Sequence, residues 1–467
     1  MNKYRKIFVP HDYQKKGIER IVDDRYLALW WEPGLGKTVT TLTAVKELWL
    51  NYMSVSRVLI VAPLKVAQST WQNEIDEWKH FECFRTQGQV TTMLGTASER
   101  LRAYEKSKSS VISIINRDNV VWLAETVAKM DKGAWPYDMV IIDEATSFKN
   151  PSAKRFKALK KFRGQIRRLV ELTGTPAGNG LGDLWSQMYL IDEGRRLERT
   201  VTQYRTRYFN HNEWTHQWTL KDGAENIIMG KVKDCCHSLT ASDYLTLPSI
   251  VEEDVPVTMT ARQLKEYKSF ERDAVLGLMT DSDSEEHILA GSAAVLTNKL
   301  LQYAAGAVYD EDGEAHVVHD EKLKAFSEIM ETANESILVF YKFRFDLERI
   351  TGELDRQKKK YRVYRNEDDL RLWNNGELDA LVASPESCGY GLNLQKGGRR
   401  VLWYTCTWSH EVYTQANARL HRQGQTRPVV VQRLVTVGTV DERVTSVLDG
   451  KATIHDFVMD YVKEYVG

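Results

Sequence analysis

Over residues 1–190, short apolar runs alternate with stretches whose apolar residues fall at helical spacing. The runs at 26–30, 58–62, 111–115, 139–142 and 169–172 have the length and branched apolar content of buried strands. Helical pattern lies between them, as at 69–78 and 119–130. This alternation predicts a parallel sheet with helices on both faces. From 195 to 320 the pattern changes: strand-like runs become scarce and polar loops such as Thr280-Asp281-Ser282-Asp283-Ser284 intervene. A mostly helical insert and connector is expected there. From Lys322 the alternation resumes, with strands expected at 337–341, 361–364, 380–384, 401–404 and 429–435. The predicted fold class is α/β, with two parallel-sheet lobes (1–194 and 321–467) flanking the helical insert (195–320).

Composition narrows the class. The chain has 467 residues, 42% hydrophobic and 27% charged, which suits a globular protein with a sizeable core. Lys+Arg and Asp+Glu both number 64, so overall charge does not point to a polyanion, although a local basic groove remains compatible with one. The five cysteines form no C-x-x-C pair, which argues against zinc and against a disulfide framework. Cys235 and Cys236 are adjacent and read as packing residues. No apolar run approaches the roughly 18 residues of a membrane span, and the start has no secretory pattern. An intracellular, cytoplasmic monomer is expected.

Candidate chemistry centres on Glu32-Pro33-Gly34-Leu35-Gly36-Lys37-Thr38, between the apolar run 26–31 and a helical stretch. A strand, a glycine turn, Lys-Thr and a helix is the setting of a phosphate-binding loop. Backbone N–H groups and the helix N-terminus would face phosphate. Lys37 would reach the β- and γ-phosphates, and the Thr38 hydroxyl would hold Mg²⁺. The pattern G-x-x-x-x-G-K-[ST] fails at its first glycine, where Trp31 stands. The Trp30-Trp31 pair reads as core. A second candidate is Asp143-Glu144 at the carboxyl end of the run 139–142, the edge at which open α/β sheets bind ligands. Asp143 could share Mg²⁺ with Thr38, and Glu144 could orient the attacking water. Leu172-Thr173-Gly174-Thr175-Pro176 follows the next run and reads equally as a phosphate sensor or a plain turn. Gln415, Arg419 and Arg422 are spaced i, i+4 and i+7, which on a helix places them on one face, where two arginines could act as fingers from the second lobe. The run 149–168 holds nine bases and no acid, and reads equally as a solvated helix or as part of a phosphate-tracking groove. His421 reads as a packing residue.

Taken in chain order, these residues resemble the Swi/Snf-like DNA-dependent ATPases, the chromatin-remodeller-like branch of helicase superfamily two. His11-Asp12-Tyr13-Gln14 looks like the adenine-reading Q motif, and Glu32–Thr38 like the family's phosphate loop, which does not require the missing glycine. Val58–Lys65 with Trp71-Gln72-Asn73-Glu74 is similar to motif Ia. Asp143-Glu144-Ala145-Thr146 stands for DEGH or DEAH without the histidine, and Leu172–Pro176 with Asn179 and Leu184-Trp185 resembles motif III. Ser336–Tyr341 resembles motif IV, and Ser384–Leu394 motif V with Cys388 in place of a glycine. Gln415–Gln425 matches the R-x-H-R-x-G-Q form of motif VI, followed by Gly438-Thr439-Val440-Asp441-Glu442.

The resemblance implies two RecA-like lobes with ATP and Mg²⁺ between them. It implies nucleotide binding by Gln14, Pro33, Gly34, Leu35, Gly36, Lys37, Thr38, Gly391 and Gln415, with the metal on Thr38 and Asp143. It implies catalysis by Lys37, Asp143, Glu144, Arg419 and Arg422. Lys65, Thr173, Thr175, Ser384 and Trp408 are the implied nucleic-acid contacts. The segment 365–379 is short and lacks the family's usual G-S/T…R stretch, so a contact of lobe two is reduced or rebuilt. Reader domains are not expected, as in minimal prokaryotic and phage-borne members. The expected activity is ATP-driven translocation on double-stranded DNA. The alternatives are a strand-separating DNA or RNA helicase, and an ATP-gated clamp that recruits a nuclease or another replication, repair or phage protein.

Overall fold

Both faces of a parallel strand are covered by helices, so its sequence is apolar at every position rather than alternating. Val58-Leu59-Ile60-Val61-Ala62 is such a run, and all five residues are fully buried. In the computed structural model the described residues are 5–450, apart from 87, 175, 178–179, 212–217, 241–247, 281–287, 311, 389–391 and 423; for 275–280 and 288–294 the description covers backbone only. The chain forms two compact units, Met1–Thr246 and Leu247–Gly467.

The strands of unit one are β1 (Tyr26–Trp31), β2 (Val58–Ala62), β3 (Val90–Met93), β4 (Ile112–Asn116), β5 (Met139–Asp143), β6 (Arg168–Thr173), the hairpin β7 (Phe209–His211) and β8 (Trp218–Leu220), and β9 (Cys236–Leu239). Seven of them form one sheet in the order β3-β4-β2-β5-β6-β1-β9, with every pairing parallel. Parallel pairing puts the carboxyl ends of all seven along one edge. The loops that follow β1, β5 and β6 therefore emerge side by side.

Unit two contains β10 (Ile250–Val257), the hairpin β11 (Ala307–Tyr309) and β12 (Ala315–Val317), β13 (Ile337–Phe340), β14 (Tyr361–Val363), β15 (Ala380–Ala383), β16 (Arg400–Trp403) and β17 (Val429–Thr436). Its sheet runs β10-β17-β16-β13-β15-β14, again all parallel. In β13, Leu338 and Phe340 enter one apolar cluster while Ile337 and Val339 enter the cluster on the opposite face. The period of two thus serves two cores, and each large side chain fully buried this way contributes about 1.5–3 kcal/mol.

The segment 195–320 differs from the expected insert. It is shared between the two units, with the boundary at Thr246/Leu247, and it supplies an edge strand to each sheet: β9 beside β1, and β10 beside β17. Both strands escaped the hydrophobic pattern because an edge strand is half solvated. β10 reads Ile-Val-Glu-Glu-Asp-Val-Pro-Val and is exposed over its first five residues, and its Pro256 is tolerated at an edge. Arg433 on β17, almost fully buried, fixes β10 through Asp254 and reaches Asp449 at 2.8 Å.

Candidate nucleotide site

The phosphate-loop candidate joins β1 to helix α2 (Lys37–Lys46), and helix α1 (Asp12–Asp23) packs against both. Gly34 and Gly36 sit at φ +93° and +74°, in the region that favours glycine. Gly36 has a second constraint, because a Cβ there would lie 2.5 Å from Gln14 Nε2. Gln14 is buried. Its Nε2 donates to Leu35 O at 3.2 Å, and its Oε1 accepts from His11 N at 3.0 Å. The side chain therefore braces the loop from beneath while closing the start of α1. Lys37 Nζ donates to Trp31 O at 2.6 Å and reaches Glu32 O at 3.4 Å. Thr38, next on α2, is half-buried.

Trp31 explains the missing glycine of the loop pattern. It is fully buried, and its Nε1 donates to His237 Nδ1 of β9 at 3.2 Å. A Cβ on Gly17 of α1 would come within 2.4 Å of its ring. The tryptophan is a core residue with a glycine hollow cut for it, as the sequence suggested for the Trp30-Trp31 pair.

Asp143 ends β5. In register it pairs with Leu172 of β6, which pairs with Leu29 of β1. The acid and the phosphate loop are thus two strand spacings apart at the same sheet edge, about 9.5 Å. Glu144 follows at φ +55°, a conformation that costs a non-glycine residue about 1–3 kcal/mol and collects at functional sites. Asp143 Oδ2 accepts from the indole Nε1 of Trp71 at 2.9 Å. Trp71 lies in the stretch similar to motif Ia without an expected role; its type and its distance from the acid in sequence gave no signal of this contact. The turn after β6 touches the loop directly: a Cβ on Gly174 would lie 3.0 Å from Pro33 Cδ and 3.5 Å from Trp31 O. Backbone donors at the start of α2, with a hydroxyl and a carboxylate as hard oxygen ligands, fit a nucleotide triphosphate and Mg²⁺.

Between acid and loop, β6 carries Glu171, fully buried, with neither carboxyl oxygen hydrogen-bonded among the described residues. Burial pushes its carboxyl well above the usual range; Cys235 adds to the rise and Arg163 opposes it. Thr173 ends the same strand with no exposed surface, so the nucleic-acid contact expected of its hydroxyl is not available in this structure. Thr175 and Gly391 lie outside the described residues. Lys65, half-buried, opens the helical segment after β2. Within the basic run, Lys149 and Arg155 pair with Asp183 and Asp118 at 3.4 and 3.3 Å. Arg163 is buried against carbonyls, and Arg168 donates to the carbonyls of Ile21, Val22 and Asp24. Lys154, Lys157 and Lys161 remain as one exposed face of the helix Lys154–Phe162.

In unit two the arginine segment departs from expectation. The helix His410–Asn417 stops before Arg419, so Gln415, Arg419 and Arg422 do not share a helical face. Trp403 Nε1 holds Asn417 Oδ1 at 3.0 Å, and the next backbone bonds tighten, Arg419 N to Ala416 O and Leu420 N to Asn417 O, both 3.1 Å. Arg419 is nearly buried. Arg422 donates from a guanidinium nitrogen to Leu392 O at 3.0 Å, and Leu394 N bonds Arg419 O at 3.3 Å. The segment 392–394 and the arginine turn are therefore one hydrogen-bonded piece. Gln415 is buried, with Nε2 at 3.4 Å from Glu411 Oε1; Ser384 donates to Glu386 at 2.7 Å; Trp408 packs half-buried on the core. His421 lies 2.8 Å from Pro248 O, in keeping with a packing role.

Comparison with known proteins bears on the family and the fold. The SNF2-related domain matches residues 13–304. A protein of Acyrthosiphon pisum secondary endosymbiont phage 1 is 33% identical over 98% of this chain and 99% of its own length. An uncharacterized ATP-dependent helicase of Mycoplasma genitalium is 25% identical over 94% of this chain, which spans 41% of that protein. In fold, the Hef helicase domain of Pyrococcus furiosus superposes with a TM-score of 0.51 over 93% of this chain and 97% of its own, at 14% identity. Among the described residues no helix is long and apolar enough to cross a membrane. With two parallel-sheet units in place, the chain belongs to the SNF2-related family.

Proposed function

We propose that this chain is a Swi/Snf-like motor that tracks along double-stranded DNA as it converts ATP to ADP and phosphate. The observation that carries this reading is the contact of Gly174 with Pro33. The turn that the family resemblance places toward nucleic acid is packed against the loop that would hold phosphate. Any shift of that turn is therefore felt at the nucleotide.

In this reading, N–H groups of residues 34–38 and the Lys37 ammonium bind the β- and γ-phosphates. Thr38 and Asp143 hold Mg²⁺, which would supply charge neutralisation at the phosphate oxygens. Glu144 aligns the attacking water and takes up its proton. Arg419 and Arg422 act as arginine fingers whose positive charge stabilises charge that grows only in the transition state. Lys65, Thr175, Ser384 and Trp408 are the remaining candidates for DNA contact, with Lys154, Lys157 and Lys161 as a flanking basic face.

The test measures ATP turnover without nucleic acid and with duplex DNA, single-stranded DNA or RNA, using Lys37→Ala as the control. Duplex-specific stimulation, with displacement of a triplex strand but no duplex unwinding, is expected. Equal turnover under all four conditions would sink the motor reading, and strand separation would convert it to a helicase.

A further inference from the structure

We infer that Trp71 is the positioning residue of the acid pair, orienting Asp143 for the metal through its indole N–H. The inference rests on the proposed role of Asp143 as a metal ligand. Trp71 opens helix α3 (Trp71–Glu77) and has no exposed surface. The Trp71 indole N–H donates to Asp143 Oδ2 at 2.9 Å, whereas the buried indole of Trp30 in the same unit has no such acceptor among the described residues. A hydrogen bond to one carboxylate oxygen fixes which way the carboxylate faces.

The backbone that delivers Trp71 is unusual. Residues Val66–Thr70 form a π-helix directly before α3, in a segment that leaves β2 through Pro63 and Lys65. A π turn holds more residues than an α turn, so it rotates α3 relative to the chain leaving β2. That rotation lets α3 pack on the phosphate-loop helix α2 while its first side chain reaches the end of β5, next to β2 in the sheet and two strands from β1. The indole thus ties the acid to an element that also packs on the helix following the phosphate loop.

The test is Trp71→Phe, which keeps aromatic packing and removes the donor. Binding of a fluorescent ADP analogue is titrated with and without Mg²⁺, and again with Mn²⁺ followed by electron paramagnetic resonance. We expect metal-free nucleotide affinity to stay within about twofold of wild type. Metal affinity in the nucleotide complex is expected to fall about 10- to 100-fold, the range typical of a lost partner behind a metal ligand. A folded Trp71→Phe protein with wild-type metal affinity overturns the inference. If wild-type protein itself shows no metal-dependent nucleotide binding, the metal assignment of Asp143 fails first, and the inference with it. Should Trp71→Phe not fold, ¹⁵N-indole spectra of Asp143→Asn serve instead. One tryptophan N–H resonance must shift when the ionic acceptor is replaced by an amide, and no shift in any of them refutes the contact.

Discussion

Glu171 offers the sharpest stability test. It sits in β6 between β5 and β1, has no exposed surface, and neither oxygen is hydrogen-bonded among the described residues. A neutral carboxyl in that position costs about 1–3 kcal/mol relative to an apolar side chain of similar shape. Ionising it costs more, which is why its folded pKa lies well above the ordinary value. For an acid raised in the folded state, the folded form binds the proton more tightly than the unfolded one. Stability then falls as pH rises from the unfolded value towards the folded one, by about 1.4 kcal/mol per pH unit. Glu171→Gln keeps the shape and polarity but cannot titrate. It should match wild type at and below the ordinary carboxylate range and become progressively more stable than wild type as pH rises above it. Glu171→Met should in addition gain about 1–3 kcal/mol at every pH by removing the unpaired polar group, less whatever its extra bulk costs. Urea titrations read by amide exchange of peptides covering β5 and β6 report unit one separately from unit two. The reasoning is refuted if Glu171→Gln keeps the wild-type pH slope, or if Glu171→Met is the least stable of the three proteins.

Three further outcomes are expected from the geometry. Gly36→Ala combines a left-handed backbone with a Cβ 2.5 Å from Gln14 Nε2, so nucleotide affinity should drop about tenfold by equilibrium titration, at a strain of about 1–2 kcal/mol; unchanged affinity would mean that the loop relaxes freely. Arg422→Ala should leave nucleotide binding nearly intact while single-turnover hydrolysis slows on the order of 10³-fold; equal rates would remove Arg422 from the site. Asp346, fully buried, is pushed up to about 6 by burial, against the N–H groups of Phe343 and Lys342 and the charge of Lys322. Unit two should therefore lose up to about 3 kcal/mol as pH rises from about 4 to 6, and Asp346→Asn, which keeps the acceptor for those N–H groups, should flatten that slope in pH-dependent urea unfolding.

The central strands were legible because burial on two faces leaves no polar position to blur the run. β1, β2, β5 and β6 emerge within two residues of their expected ends. β3, β9 and β10 were not legible, since a sheet edge is half solvent and its residues read like loop. The candidate loop and acid pair could be located because each is a short stretch following a legible strand, and the parallel sheet brings the ends of those strands to one edge. The arginine segment shows where periodicity stops being a guide. Spacing of four and three residues suggests a helical face, yet the Trp403 bond to Asn417 and the tight turns after it end the helix. Thr173 and Trp71 mark the complementary failure. Motif membership suggested a surface role for one and none for the other, and only packing separates a sealed hydroxyl from an indole aimed at the acid.

The pairing of β9 with β1 determines where this chain can be cut. Leu239 O accepts the backbone N–H of Glu32, the first residue of the phosphate loop, and His237 accepts the indole N–H of Trp31. A fragment ending at residue 194 would keep every motif of the first lobe and still leave its nucleotide-bearing strand as a bare edge, open to pairing with a second chain. The smallest portable first half ends only after Leu239, well beyond Trp185 and the last motif it would otherwise need.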